Sequence, residues 1–310
     1  MSLRIAVIGV GHLGKHHARI LSSLPGVELV AVVDTNRGRA QEIAAASRTA
    51  AAFDARDVAG RVDAVTVAVP TELHRDIALP FLQAGVAVLV EKPMARSLGE
   101  ADEMIAAAGT SGATLGVGHT ERFNPAVAAA RPLVRDPRFI EVHRLGTFPE
   151  RSLDIDVVFD LMIHDLDVVL SLVKSDVASI EAVGVPVLTG RVDIANARLR
   201  FANGCIVNLT ASLISRDRVR KIRFFQPAVY LSIDYAAQKV EMYRLEKGSG
   251  PMPSIQGGDL DVANEEPLER ELADFVDAVV SRRAPAVTGE EGRRALAVAQ
   301  QITDRIVAQT

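Results

Sequence analysis

The stretch Arg4-Ile5-Ala6-Val7-Ile8-Gly9-Val10-Gly11-His12-Leu13-Gly14 decides the reading of this chain. A short apolar run of strand-forming residues meets three glycines at G-x-G-x-x-G spacing, and apolar side chains then recur three and four residues apart. Strand, glycine-rich turn and helix together make a cradle for a pyrophosphate. The first glycine permits the tight turn, the second lets the backbone approach the ligand, and the third allows the helix to pack closely on the strand. The free N–H groups at the helix start then face the anion. In a chain with 22 glycines the triplet alone is weak, because a dinucleotide-free turn or a methyltransferase-type nucleotide site can carry it too. Its context strengthens it. Asp34 stands 20 residues beyond Gly14, at the end of a second apolar run. There a carboxylate accepts hydrogen bonds from the adenosine ribose and repels a 2′-phosphate. NAD is therefore the expected cofactor, with Arg37 and Arg39 nearby pulling toward NADP. Gly9, Gly11, His12, Leu13, Gly14 and Asp34 are the expected contacts.

Outward from this turn the alternation continues. Strand-length apolar runs at 4–8, 28–33, 64–69, 86–90 and 114–117 alternate with helical patterns at 14–23, 37–46, 71–84 and 98–108. Near-continuous Val, Ile and Ala strands between helices imply a parallel sheet covered on both faces, a doubly wound Rossmann domain over residues 1–120. After His119 the texture changes. A helix at 125–134, a strand at 139–145 and a helix at 157–173 precede strand-like runs at 179–187, 193–201, 205–212, 220–225, 229–233 and 239–244. Asn203-Gly204 is a hairpin signal between two of them. Strands in succession imply an open, mostly antiparallel sheet, so residues 121–310 read as a second, α+β domain. The segment 247–264, rich in Gly, Pro and Ser, reads as a loop. Helices at 267–282 and 290–308 close the chain, the last expected to pack back on the first domain.

Bulk properties set bounds. The 310 residues are 48% hydrophobic and 24% charged, ample for two cores, and the formal net charge of −4 favours neither nucleic acid nor an anionic membrane. One cysteine, Cys205, forbids an intramolecular disulfide and a cysteine-based metal site. No His/Asp/Glu cluster has ligand spacing, so no metal is expected. The N-terminus reads as a strand and not as a signal peptide, and the apolar stretch 84–90 is too short to cross a bilayer; a cytoplasmic protein is expected.

Lysines are scarce, 6 of 35 basic residues, and one of them follows a buried strand in Glu91-Lys92-Pro93. Parallel sheets bind ligands at their carboxyl edge. Lys92 there either hydrogen-bonds a substrate hydroxyl and helps remove its proton or is a solvated strand-end residue. Asp160 and His164, four apart on a predicted helix, share a face. His164 suits proton acceptance and Asp160 suits orientation; a surface pair, with Asp165 and Asp167 beside it, is the other reading. His16 and His17 read as surface helix residues.

Several motifs in order resemble the glucose–fructose oxidoreductase/inositol dehydrogenase (Gfo/Idh/MocA) family: Gly9–Gly14, Val69-Pro70-Thr71-Glu72-Leu73-His74, Glu91-Lys92-Pro93, Gly118-His119, and the Asp160/His164 pair. The resemblance spans essentially the whole chain. It implies a Rossmann domain, a second domain with an open sheet used to form a homo-oligomer (dimer or tetramer), and sugar or cyclitol dehydrogenation. Lys92, Asp160 and His164 are the implied catalytic residues, and Thr71, His74, Glu91 and Lys92 are implied to lie at the cofactor. It also implies a cis Lys92-Pro93 bond. Many members carry a glycine-rich run where this chain has Asp156-Val157-Val158-Phe159. That departure, with His119-Thr120-Glu121-Arg122-Phe123-Asn124-Pro125, is similar to the nucleotide-sugar branch. Within that branch the chain is similar to enzymes that supply an amino sugar for lipid A, and the resemblance implies oxidation of the 3-hydroxyl of UDP-N-acetylglucosamine. His119, Arg122, Asn124, Arg144 and Arg151 are then the expected substrate residues, the arginines suiting a diphosphate or, alternatively, surface salt bridges. A dehydrogenase of another sugar or cyclitol, and a non-catalytic dinucleotide-binding regulator, are the competing readings.

Overall fold

Six parallel strands carry the N-terminal half of a computed structural model, which describes residues 2–147, 156–246 and 254–308. They are β1 (Leu3–Ile8), β2 (Val27–Val33), β3 (Ala50–Ala52), β4 (Ala64–Val67), β5 (Ala87–Glu91) and β6 (Leu115–Gly118), in spatial order β3-β2-β1-β4-β5-β6. This is the Rossmann order, with the chain reversing direction across the sheet between β1 and β4. The crossovers carry α1 (Gly14–Leu21), α2 (Arg37–Ala46), α3 (His74–Gln83) and α4 (Leu98–Ser111). β4 and β5 are buried at every position, as strands covered on both faces must be. β3, a run of three alanines at the edge, carries too little hydrophobic signal to be read as a strand from sequence.

The chain divides into two compact units, Met1–Thr120 with Glu266–Leu296, and Glu121–Glu265 with Ala297–Thr310. From sequence, α7 (Pro267–Ser281) and α8 (Gly289–Val307) fall within the second domain of residues 121–310, with only the last helix expected to pack back on the first. α7 instead belongs wholly to the first unit. Its Leu272, Phe275 and Val276 join Ile5, Val7, Ile20, Leu21 and Leu89 in one buried cluster, so an apolar stripe that could serve either unit is used by the first.

The second unit is built on an eight-stranded sheet among the described residues. Its strands are β7 (Phe139–Leu145), β8 (Val177–Val185), β9 (Ile194–Phe201), β10 (Ile206–Ser212), β11 (Val219–Gln226), β12 (Val229–Asp234), β13 (Lys239–Glu246) and β14 (Ser254–Asp259). The order is β14-β13-β12-β11-β7-β10-β9-β8, antiparallel throughout except for β7 beside β10. α5 (Pro125–Ala130) precedes β7, and α6 (Ile163–Leu172) lies between β7 and β8. Of the loop expected over 247–264, residues 247–253 lie outside the described residues, and Ser254–Asp259 form β14 instead. Its Gly257 closes so tightly on β13 that a Cβ would stand 1.9 Å from the Met242 carbonyl oxygen, so the glycines that suggest a loop are what permit the pairing.

Period-2 burial shows which face is covered. In β7, Ile140, Val142 and Arg144 point inward while Phe139, Glu141 and His143 lie on the other face. Register then sets Phe139, Phe225 and Tyr230 side by side on that outer face, and Tyr243 opposite Tyr230. Ring centroids in this row are 5.4, 5.4 and 6.2 Å apart.

Candidate active site

In the first unit the glycine turn is shaped as the spacing demands. Gly9 takes φ +84°, and a Cβ on it would stand 2.6 Å from the Ala68 carbonyl oxygen. At Gly14 a Cβ would lie 1.7 Å from the Gly9 carbonyl oxygen, so helix α1 can start there only without a side chain. Gly11 differs: the nearest atom to a Cβ would be Arg39 Nη1 at 3.9 Å, leaving an open backbone face. His12 and Leu13 beside it are exposed. An open cradle at a helix N-terminus fits a pyrophosphate.

Asp34 is held over this turn by two backbone donors. Val10 N–H reaches its Oδ2 at 3.0 Å and Asn36 N–H its Oδ1 at 2.9 Å. A carboxylate has about four acceptor positions, so this pairing leaves capacity for ribose hydroxyls. Arg39 Nη1 stands 3.6 Å from the same carboxylate, the arginine the sequence sets against strict NAD preference. Asn36 caps α2 by accepting the Arg39 N–H.

At the carboxyl edge of the same sheet, Thr71 opens a single 3₁₀ turn (Thr71–Leu73) that leads into α3. His74 is buried, with Nδ1 3.0 Å from the Pro93 carbonyl oxygen and Nε2 2.9 Å from that of Val69. Burial lowers its pKa, and the carbonyl oxygens of Val69 and Pro93 work the other way. β5 ends at Glu91, and the Lys92-Pro93 bond is cis. Glu91 points into the protein, not out to a ligand: its Oε1 lies 3.0 Å from His17 Nε2. His17 is thus no surface residue. Its side chain is 1% exposed, on the buried face of α1, three residues before Ile20 and four before Leu21, a spacing that could have placed it there. His119, just past β6, is buried as well.

The catalytic helix expected over 157–173 begins irregularly. Asp156 Oδ1 accepts the Val158 N–H, a π-helical stretch (Val158–Met162) follows, and regular helix starts only at α6. Such wide turns recur at functional sites. Asp160 and His164 are both half-buried, whereas the intervening Met162 and Ile163 are buried, so the pair shares the accessible side of the segment.

Asp165 and Asp167 are not the surface companions the sequence suggests. Both are 1% exposed and each binds an arginine. Arg144, on the inward face of β7, donates from Nε and Nη2 to Asp165 at 2.6 and 3.1 Å and from Nη1 to Glu121 at 2.9 Å. Arg122 donates to Asp167 from Nε at 2.8 Å and Nη2 at 2.5 Å. Burial works against the charge on Arg144, but Asp165 and Glu121 hold its pKa above the ordinary guanidinium value. Asn124 caps α5 through Ala126 N–H and donates to Glu121 and to the Tyr235 carbonyl oxygen. Arg122, Asn124 and Arg144, expected at the substrate, take part in a buried hydrogen-bonded network with Asp165, Asp167 and Glu121. Arg151 lies outside the described residues. The signal for Arg144 was present in the sequence: it continues the inward alternation of Ile140 and Val142.

A parallel sheet in Rossmann order, an open glycine cradle and an acidic residue at the end of β2 define a dinucleotide-binding domain. Residues 3–119 match the family model described as oxidoreductase family, NAD-binding Rossmann fold, and residues 136–225 match the GFO/IDH/MocA C-terminal domain. The chain belongs to the GFO/IDH/MocA family. It is 38% identical over 302 residues to the UDP-N-acetylglucosamine 3-dehydrogenase of Acidithiobacillus ferrooxidans, with 97% of this chain and 96% of that protein covered. A solved structure of that organism's UDP-N-acetylglucosamine 3-dehydrogenase superposes with a TM-score of 0.93, at 36% identity and 99% coverage of each chain. Inositol 2-dehydrogenase of Rhizobium meliloti is 26% identical over 322 residues, covering 96% and 95%. Among the described residues no helix is long and apolar enough to cross a membrane.

Proposed function

We propose that this protein oxidises the 3-hydroxyl of UDP-N-acetylglucosamine to the 3-keto sugar with NAD. The observation that carries the reading is the 38% identity over nearly the full length of both chains to an enzyme of that name, against 26% to an inositol dehydrogenase. The first unit binds the dinucleotide through Gly9, Gly11, His12, Leu13, Gly14 and Asp34, with Thr71 and His74 at the edge of the sheet. The second unit carries the sugar-binding side.

NAD, when bound, supplies the hydride acceptor. Lys92 donates a hydrogen bond to the reacting hydroxyl oxygen and stabilises the charge that develops there. His164 accepts the hydroxyl proton as the hydride leaves the same carbon, and Asp160 orients and supports the imidazolium. The products are a ketone, a reduced cofactor and one proton on His164, so atoms and charge balance. The keto group then suits an aminotransferase in amino-sugar synthesis in the cytoplasm.

The outer face of the eight-stranded sheet carries the row Phe139, Phe225, Tyr230 and Tyr243, with Phe225 and Tyr243 38% and 42% exposed. An apolar row on an open sheet supports a homo-oligomer formed through this face. A panel of UDP-N-acetylglucosamine, free N-acetylglucosamine, glucose and inositol tests the substrate. Turnover confined to the nucleotide sugar is expected, and faster turnover of inositol would overturn it.

A further inference from the structure

Three consecutive residues at the end of β5 are each tied down. Glu91 is 5% exposed and its Oε1 meets Nε2 of His17, on α1, at 3.0 Å. Its Oε2 accepts the backbone N–H of Lys92 at 3.2 Å. His74 Nδ1 meets the Pro93 carbonyl oxygen, and its other nitrogen meets that of Val69, just past β4. The carboxylate also presses on β6: a Cβ at Gly118 would stand 3.1 Å from Glu91 Cδ and from both its oxygens.

This arrangement is costly if its purpose is only to fill space. Ala87 to Val90 are apolar, and a further Leu or Val would bury well at the next position. A carboxylate taken out of water costs several kcal/mol unless it is paired, and a buried ion pair is often no more stable than apolar residues of similar volume. Burial by itself pushes the Glu91 carboxyl up, yet His17 and Lys92 bring it below the usual value. What the pair adds beyond stability is direction. It fixes the peptide N–H of Lys92, and it does so from the helix that begins at the pyrophosphate cradle.

We propose that His17 and Glu91 are positioning residues that set the aim of the Lys92 side chain and tie it to the dinucleotide helix. Neither touches substrate; both act through Lys92, so the inference rests on Lys92 being catalytic, as read above. Removing the pair misplaces the amine. A shift of about 1 Å costs up to roughly a hundredfold in rate. Dinucleotide affinity, which the glycine turn and Asp34 provide, stays.

The test compares Glu91→Gln, His17→Leu, His17→Gln and the double variant His17→Leu/Glu91→Gln with Lys92→Met, measuring kcat, both KM values, NAD binding by fluorescence quenching, and Tm. Glu91→Gln and His17→Leu should lower kcat by about tenfold to a hundredfold while KM and NAD affinity stay within about threefold. The double variant should be no slower than the slower single, since the two act as one unit. His17→Gln, which returns an amide near the place of Nε2, should recover most of the rate. A lowered Tm with unchanged kcat in folded Glu91→Gln protein would show the pair to be structural only. Should His17→Leu not fold, the near-isosteric Glu91→Gln decides. If Lys92→Met itself keeps full turnover, the catalytic reading fails; if Lys92→Met is inactive while Glu91→Gln is unimpaired, this proposal alone fails.

Discussion

Single residues carry most of the chemistry. Lys92→Met removes the donor to the reacting oxygen, and kcat should fall by about two to four orders of magnitude with NAD binding retained by fluorescence quenching. Gly14→Ala has no room beside the Gly9 carbonyl, so dinucleotide binding should be lost in a titration of that variant. Asp193 offers a test of acid stability. Burial pushes its carboxyl up, but the N–H groups of Leu188, Thr189 and Val187 and the Thr189 hydroxyl hold it at about 2. A depressed folded value means stability present above the unfolded value of about 3.9 and lost as pH falls toward 2. The Tm gap between wild type and Asp193→Asn should be widest above pH 4 and close toward pH 2; a gap that ignores pH would contradict this.

At the scale of elements, the buried arginines hold the segment that bears Asp160 and His164. Arg144→Met leaves Asp165 and Glu121 facing a neutral thioether, a loss of about 3–5 kcal/mol in denaturant unfolding. Adding Asp165→Leu should recover a large part of it. Here the sequence was only half legible. The glycine turn, β4, β5 and Asp34 could be read because strand, turn and acid sit at fixed offsets along one chain. The pairing of Arg144 with Asp165, and of His17 with Glu91, joins residues 21 and 74 positions apart, which no local period encodes. β14 was hidden for a related reason, since its glycines lower strand propensity while allowing close pairing with β13. The π-helical turns before α6 leave the apolar pattern of a plain helix unchanged, so periodicity gave a single helix over 157–173.

For the whole molecule, alternation of strands and helices followed by strands alone was enough to specify a Rossmann sheet and an open antiparallel sheet. The use of α7 by the first unit was not, because an amphipathic stripe does not name its partner. The aromatic row on the outer sheet face predicts a dimer or tetramer in sedimentation velocity at micromolar concentration, reduced to a monomer by Phe225→Glu. A monomeric wild-type protein would contradict it. The central claim is tested most directly by the absorbance of reduced nicotinamide when the purified protein is mixed with NAD and UDP-N-acetylglucosamine, with an aminotransferase present to remove the ketone. The account predicts a rising signal in wild type that is absent in Lys92→Met and His164→Ala. A flat trace from folded wild-type protein that binds NAD, or an equal rise in both variants, would contradict it.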